Sequence, residues 1–355
     1  MTKHKFLTLF GNFSIRNLLV LVIFSLIFSS CSPIEKLEPT TTFIIDTPTI
    51  PSPTATIEPT SQLGLDSSPI KIGYIVSGSA TNYINYSQDL INSLEASTGY
   101  TIEFSPYDYA QLAFDDLRQS NIHFMFIQPL TYLAASERDL ITPLLVTNHF
   151  GLYNYGTQFF ANKDSFFNTY YDEKNNKSTT TAEFALRQFE GKRPCWTEPS
   201  SLAGTIIPYG ILAKNGVSFL PPAYLQTPTS VIRALYIKGI CDFGATYAYS
   251  GDPRTSSQVI SDLPDVLSNI EVIWQSDAFI PSLSFSASSS VPIYLQNEFK
   301  SLFLTIGSSE NRKALITQAL QYDVQGFLPI EDDFYDQLRE YVDAARINPY
   351  QHLGY

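Results

Sequence analysis

The chain has 355 residues, 44% of them hydrophobic and 16% charged, which is enough apolar material for a sizeable core and excludes a disordered chain. Acids outnumber bases 34 to 22, a formal charge of -12, which argues against a nucleic-acid binder or a protein held to anionic lipid by clustered Lys and Arg. Three cysteines, Cys31, Cys195 and Cys241, are too few for a disulfide-dense scaffold and lack the CxxC spacing of a zinc site.

Lys3, Lys5 and Arg16 precede an apolar run from Leu18 to Phe28 broken by Ser25, and Ser29 and Ser30 lead into Cys31. A basic start, a short apolar stretch and small residues before a cleavage point describe a secretory signal peptide. The run is short for a membrane-crossing helix of roughly 20 residues. The small residues before Cys31 resemble a bacterial lipobox, although Phe28 stands where an aliphatic residue is usual. That resemblance implies a lipoprotein signal peptide over residues 1–30, with Cys31 diacylated as the mature N-terminus and anchoring the protein to the membrane. The alternative is an uncleaved anchor helix with an incidental cysteine, and either places the remainder outside the cytoplasm. Residues 31–67 are rich in Thr and Pro (TPTIPSPTATIEPT), show no periodicity and are expected to form an extended tether.

From Pro69 the pattern alternates strand and helix. PIKIGYIVS reads as a strand, TNYINYSQDLINSLEASTG as an amphipathic helix stopped by Gly99, and YTIEFSPY as the next strand. DYAQLAFDDLRQSN is a helix, IHFMFIQPL a buried strand, ITPLLVTNHF another, and QFFANKDS a long one. A polar excursion (TYYDEKNNKSTTTA) leads to a helix ending near Gly191, then KRPCWTEP, a helix from Leu202 to Asn215, SVIRALYIKG and the strand ICDFGATYAY. VIWQSDAFIPSLSFSAS crosses back, and two or three C-terminal helices close the chain. Such alternation predicts an α/β fold with ligands at the carboxyl ends of strands. We expect two lobes, the second inserted into the first: residues 68–157, then 158–282, then a return over 283–355. QFFANKDS and PSLSFSAS are the candidate crossing hinge strands.

FANKDS, EPSSLAGTIIPYGILAKNGV, CDFGAT and IWQSDAFIP occur in this order with spacing that resembles the phosphate/phosphite/phosphonate-binding proteins of ABC importers. The resemblance covers residues 69–348 and implies the type II periplasmic-binding-protein fold, in which hinge closure captures a small ligand between two lobes. It implies a Tyr after the second strand, matched by Tyr109, and another before the hinge strand, matched by Tyr155. It also implies a hydroxyl-rich turn opening a helix, where hydroxyls and free N–H groups hold anionic oxygens. Here that turn reads Ser201-Leu202-Ala203-Gly204, with Ser200 as a substitute donor; one hydroxyl is kept and two are lost. An anion-contacting His of some members falls on Thr229. Carboxylates that hold an amino-alkyl tail fall near Tyr249 and Leu283, neither acidic, which argues against an aminoalkylphosphonate. Tyr109, Tyr155, Tyr247 and Tyr249 would line an aromatic pocket suited to an apolar or heterocyclic ligand.

The strands bearing Cys195 and Cys241 are plausible neighbours of one βαβ unit, so a disulfide could clamp the second lobe; the alternative is two separately buried thiols. Gln128, at the carboxyl end of its strand, is placed to reach the cleft. His123 reads as a satisfied surface or edge residue, Asp242 as a backbone cap, and Glu331, Asp332, Asp333 and Asp336 as a solvated helix start. No GxSxG, HExxH, P-loop or GxGxxG element occurs, and the residues point to no enzyme, metal or cofactor. The expectation is a monomeric solute-binding lipoprotein that delivers a small ligand to ABC permease subunits, with no nucleic-acid partner. The alternative is a binding module feeding a membrane sensor.

Overall fold

The computed structural model describes residues 62–76 and 83–354. The expected signal peptide, the lipid-bearing Cys31 and the tether as far as residue 61 lie outside these described residues. Among the described residues no helix is long and apolar enough to cross a membrane.

β1 (Ile70–Ile75) leads to α1 (Ile84–Thr98), which Gly99 stops by adopting φ 74° and donating its N–H to the Glu95 carbonyl. β2 (Ile102–Tyr107), α2 (Ala110–Arg118), β3 (Phe124–Ile127), α3 (Pro129–Ser136) and β4 (Ile141–Asn148) follow. β5 (Asn154–Asn162) opens the inserted part. The polar excursion holds a small hairpin, β6 (Tyr171–Asp172) and β7 (Lys177–Ser178), then come α4 (Ala182–Ala185) and β8 (Pro194–Trp196). α5 (Ile207–Lys214), β9 (Ala223–Tyr224), α6 (Pro228–Ile237), β10 (Phe243–Ala248), α7 (Ser257–Asp262), α8 (Val266–Asn269) and β11 (Ile270–Gln275) complete the insertion. The return comprises β12 (Ile280–Pro281), β13 (Ser284–Ser288), α9 (Ile293–Gly307), α10 (Glu310–Leu320), β14 (Gly326–Pro329), α11 (Asp336–Ala344) and α12 (Pro349–His352).

Two sheets result, ordered β14-β4-β13-β3-β1-β2 and β11-β5-β10-β8-β9. The first draws its strands from both sides of the second in sequence, so the second lobe is an insertion in the first. In each sheet the chain reverses direction of travel about a parallel strand: β1 has β2 on one side and β3 on the other, and β8 has β9 and β10. Crevices form outside the carboxyl ends of strands at such switch points.

The chain crosses between sheets over residues 149–153 and again over 276–283. The first crossing contains a two-residue reversal: His149 and Leu152 exchange backbone hydrogen bonds of 2.8 and 3.0 Å, with Phe150 at φ 49° and Gly151 at φ 86°. Because this reversal follows β4 directly, QFFANKDS lies wholly within the second lobe. The first crossing therefore precedes QFFANKDS, whereas the second runs into PSLSFSAS, sharing Pro281, Ser282 and Leu283 with it.

Aromatic rings fill the first core, where Phe124 stacks on Phe299 at 4.4 Å and on Phe285 at 5.3 Å. Residues 64–68 belong to this lobe rather than to a tether: Thr101 donates its N–H to the Gly64 carbonyl at 2.8 Å, and Leu65 bridges Ser68. His123 is buried rather than at the surface, and its Nδ1 accepts the Lys71 N–H at 2.9 Å. Asp242 accepts the Arg193 N–H at 2.8 Å, the capping role expected of it. Asp332 is tied to the Tyr132 hydroxyl and to Arg339, so it anchors the helix start more than it solvates it.

In the second lobe β8 and β10 are parallel neighbours, and Cys195 and Cys241 have Cα atoms 5.6 Å apart with their sulfurs at bonding distance. Cys241 stands two residues before β10 rather than opening it. The C-terminal segment then touches both lobes. α11 packs on α5, where Gly210 lies so close to the Tyr341 backbone that a Cβ there would come within 2.0 Å of its carbonyl oxygen. α12 returns to the first lobe, with the Tyr350 ring 5.4 Å from Phe114 of α2 and the Arg138 guanidinium 3.4 Å over it.

Candidate ligand-binding site

The turn after β8 is built by one proline. Pro208 has no N–H to offer the Gly204 carbonyl four residues back, and Thr197 supplies its own N–H there instead, at 3.2 Å. With that α-helical bond lost, Leu202–Ile206 winds as a π-helical turn: Ile206 bonds the Ser201 carbonyl and Ile207 the Leu202 carbonyl. The expected α-helix from Leu202 therefore becomes regular only at Ile207. Ser201 is the N-cap, its Oγ accepting the Gly204 N–H at 3.2 Å. The Leu202 and Ala203 N–H groups, first in the helix, have no turn before them to bond.

The turn faces a cavity of about 180 Å³ that Thr197, Tyr155 and Tyr247 also line. Thr197 follows β8 directly, is 2% exposed, and its Oγ1 has no hydrogen-bond partner among the described residues. Gly204 is required beside it, because a Cβ at that position would lie 2.1 Å from the Thr197 Oγ1. Thr157 of β5 holds the turn from below, its hydroxyl reaching the carbonyls of Ala203 at 2.6 Å and Thr246 at 3.1 Å.

Tyr155 and Tyr247 also border a second cavity of about 320 Å³, so the two spaces meet along these rings. Its other walls include His149, Phe150 and Tyr322, with Gln128 from the carboxyl end of β3. Tyr155 and Thr157 point to one face of β5 by strand alternation, and Tyr247 is the register partner of Thr157. Burial pushes the hydroxyls of Tyr155, Tyr247 and Tyr322 above the ordinary tyrosine value, so they are neutral groups able to donate. Among the described residues, no Lys, Arg, Asp or Glu lines either cavity. Anything held here is held by dipoles, hydroxyls and rings.

Of the residues singled out from the sequence, Gln128, Tyr155, Ser201, Leu202, Ala203, Gly204 and Tyr247 converge on this paired cavity. Tyr109 does not: it is the N-cap of α2 and 67% exposed. Ser200 is exposed and precedes the turn, and Thr229 bonds the Thr227 hydroxyl on the first turn of α6, where Pro228 rather than Thr229 meets the cavity. Tyr249 leaves the cleft because its backbone takes φ 71°, which sends the hydroxyl to the Ser276 carbonyl at 2.8 Å on the far face of β5. Several lining residues were not foreseen, Thr197, His149, Phe150 and Tyr322 among them. Thr197 and His149 stand just past strand ends, a signal the switch-point rule could have used. Tyr322 follows α10 and has no local signature.

A family model described as "ABC transporter, phosphonate, periplasmic substrate-binding protein" matches residues 72–335. Among curated proteins, the phosphate-import protein PhnD of Mycolicibacterium smegmatis is 23% identical over 279 residues, covering 72% of this chain and 79% of that one. Among solved structures, XAC2383 from Xanthomonas citri bound to chloride ion superposes with a TM-score of 0.58 at 16% identity, covering 80% of this chain and 99% of that one. PhnD1 from Prochlorococcus marinus in complex with methylphosphonate gives 0.51 at 14% identity, over 78% of this chain and 98% of that one. The fold is thus that of the type II periplasmic binding proteins, and their job is transport binding rather than catalysis. With the family model spanning most of its length, the chain belongs to the periplasmic substrate-binding proteins of phosphonate ABC transporters.

Proposed function

We propose that this protein is the lipid-anchored binding subunit of an importer and captures a phosphonate- or phosphate-like oxyanion at the Ser201–Gly204 turn. The observation that carries this is the buried Thr197 hydroxyl, without a partner among the described residues, which shares a cavity with a helix start, where N–H groups precede any turn that could accept them. A group so placed costs free energy unless a ligand oxygen meets it. The ligands named for its relatives, phosphate in the curated importer and methylphosphonate in the solved complex, suit such donors.

In this reading Ser201, the N–H groups of Leu202 and Ala203, and Thr197 hold the oxyanion from the second lobe, while Gln128 approaches from the first. Tyr155 and Tyr247 supply neutral hydroxyls and ring faces. Closure about residues 149–153 and 276–283 traps the ligand, and the closed body docks on permease subunits as a monomer. Cys31 carries the lipid, and Cys195–Cys241 is an oxidised clamp suited to an extracytoplasmic compartment.

Thermal shift of the purified protein with phosphate, phosphite, alkylphosphonates and alkylsulfonates tests the reading. A binder raises Tm by mass action, and Gly204→Ala reduces the rise. No shift with any of these oxyanions overturns it.

A further inference from the structure

We propose that the ligand is an oxyanion bearing a flat, uncharged aromatic substituent, seated in the larger cavity while its head occupies the turn. This rests on the oxyanion reading above and extends it to the rest of the ligand.

Size is the first reason. A cavity of about 320 Å³ adjoins the head-group space rather than forming part of it. That is already within the range of roughly 300–1,000 Å³ typical of organic-ligand sites. A bare phosphate or a methylphosphonate leaves this space to water.

The character of the walls is the second. The His149 ring lies 3.9 Å from Tyr322 at an interplanar angle of 11°, a stacked pair, and Phe150 tilts against His149 at 4.3 Å. Phe150 is 62% exposed and stands at the tip of the first crossing with φ 49°, a left-handed conformation that a bulky side chain seldom adopts. Its backbone is held there by the Asp323 carboxylate, which accepts the Phe150 N–H at 3.2 Å. The His149 Nδ1–H donates to the Asp323 carbonyl at 2.8 Å, which fixes that ring's orientation. Two residues of the crossing are therefore pinned beside a cavity that Tyr155 and Tyr247 also line.

Charge is the third. A tail ending in an ammonium group would find no carboxylate on the walls among the described residues. The polar groups on the walls, the Gln128 amide, the Ser250 and Ser282 hydroxyls and the hydroxyls of Tyr155, Tyr247 and Tyr322, are neutral, which fits a ring that carries neutral rather than charged substituents.

Titration calorimetry on the purified protein separates the possibilities. The probes are methylphosphonate, phenylphosphonate, benzylphosphonate, 2-aminoethylphosphonate, phosphocholine and benzyl alcohol. The proposal expects an arylphosphonate to bind at least about tenfold tighter than methylphosphonate. 2-Aminoethylphosphonate should be no tighter than methylphosphonate. In Phe150→Ala the aryl-to-methyl affinity ratio falls toward 1, whereas Tyr322→Phe, which keeps its ring, preserves the ratio. Equal affinities for methyl and aryl compounds overturn this inference and leave the oxyanion reading standing. Phosphocholine binding tighter than the aryl compounds also overturns it, since an aromatic cage for a cation would then be the better description. Benzyl alcohol binding where every phosphonate fails removes the oxyanion reading and this inference with it.

Discussion

The hydroxyl of Thr157 lies 2.6 Å from the carbonyl oxygen of Ala203, and this contact ties β5 to the turn proposed to hold the oxyanion. Its partners are buried, so neither can turn to water. Thr157→Val keeps the shape and removes the donor, leaving the Ala203 carbonyl unsatisfied. A loss of about 1–3 kcal/mol in stability is expected. Ligand affinity should fall as well, because the turn loses its support. Denaturant titration and calorimetry check both, and an unchanged midpoint would show the contact to be incidental.

Gly204→Ala places a methyl group 2.1 Å from the Thr197 Oγ1. One of the two must move, and both belong to the proposed anion site. Oxyanion affinity should drop by at least about tenfold, or 1.4 kcal/mol, with stability reduced by about 1–3 kcal/mol for the overpacking. Ser201→Ala is the milder counterpart, removing the N-cap at a cost of about 0.5–2 kcal/mol. Should Gly204→Ala bind oxyanions as the parent does, the turn is not where they sit.

His123 gives the fold a dependence on pH. Burial, and then the nearby Lys71 ammonium, hold its imidazole below the ordinary value of 6.5. The neutral ring accepts the Lys71 N–H on Nδ1, a bond that protonation of that nitrogen would break. Below pH 6.5 the unfolded chain takes up a proton that the folded one refuses, so stability is full above this value and declines as pH falls beneath it. His123→Gln should flatten this part of the stability profile. Parallel profiles for the two proteins between pH 7 and pH 5 would assign the dependence elsewhere.

If Cys195 and Cys241 are bonded, they close a loop of 46 residues, for which the chain-entropy model gives about 4 kcal/mol. Reductant should lower the Tm of the parent and leave Cys195→Ala/Cys241→Ala unaffected. Counting free thiols in the unfolded, unreduced protein decides the matter directly: two titratable thiols from this pair would exclude the bond.

The two-lobe α/β architecture was legible because its strands are short apolar runs between amphipathic helices, and Gly99 and Gly191 mark where helices end. The turn at Ser201–Gly204 was legible too, from small residues that open a helix after a strand. What misled were conformations that local pattern does not encode. Alternation along β10 puts Tyr249 beside Tyr247, but φ 71° turns it to the opposite face. Tyr109 matched by position yet caps a helix in solvent. Pro208 was in plain view, but its effect appears only when one asks which carbonyl loses a partner. Tyr322 joins the site through the packing of a segment over 150 residues after Tyr155. Such a meeting is a property of the whole fold.

The close seating of Gly210 against the Tyr341 backbone bears on how the body flexes. With α11 on the second lobe and α12 on the first, the polypeptide spans the waist four times rather than two. If the lobes close as proposed above, that motion strains four linkages acting in parallel, like tendons sharing one joint. Shortening or stiffening any one of them would alter the stiffness of the others' common motion. A change at the far C-terminus could therefore reset the balance between open and closed forms without touching a residue that meets the ligand.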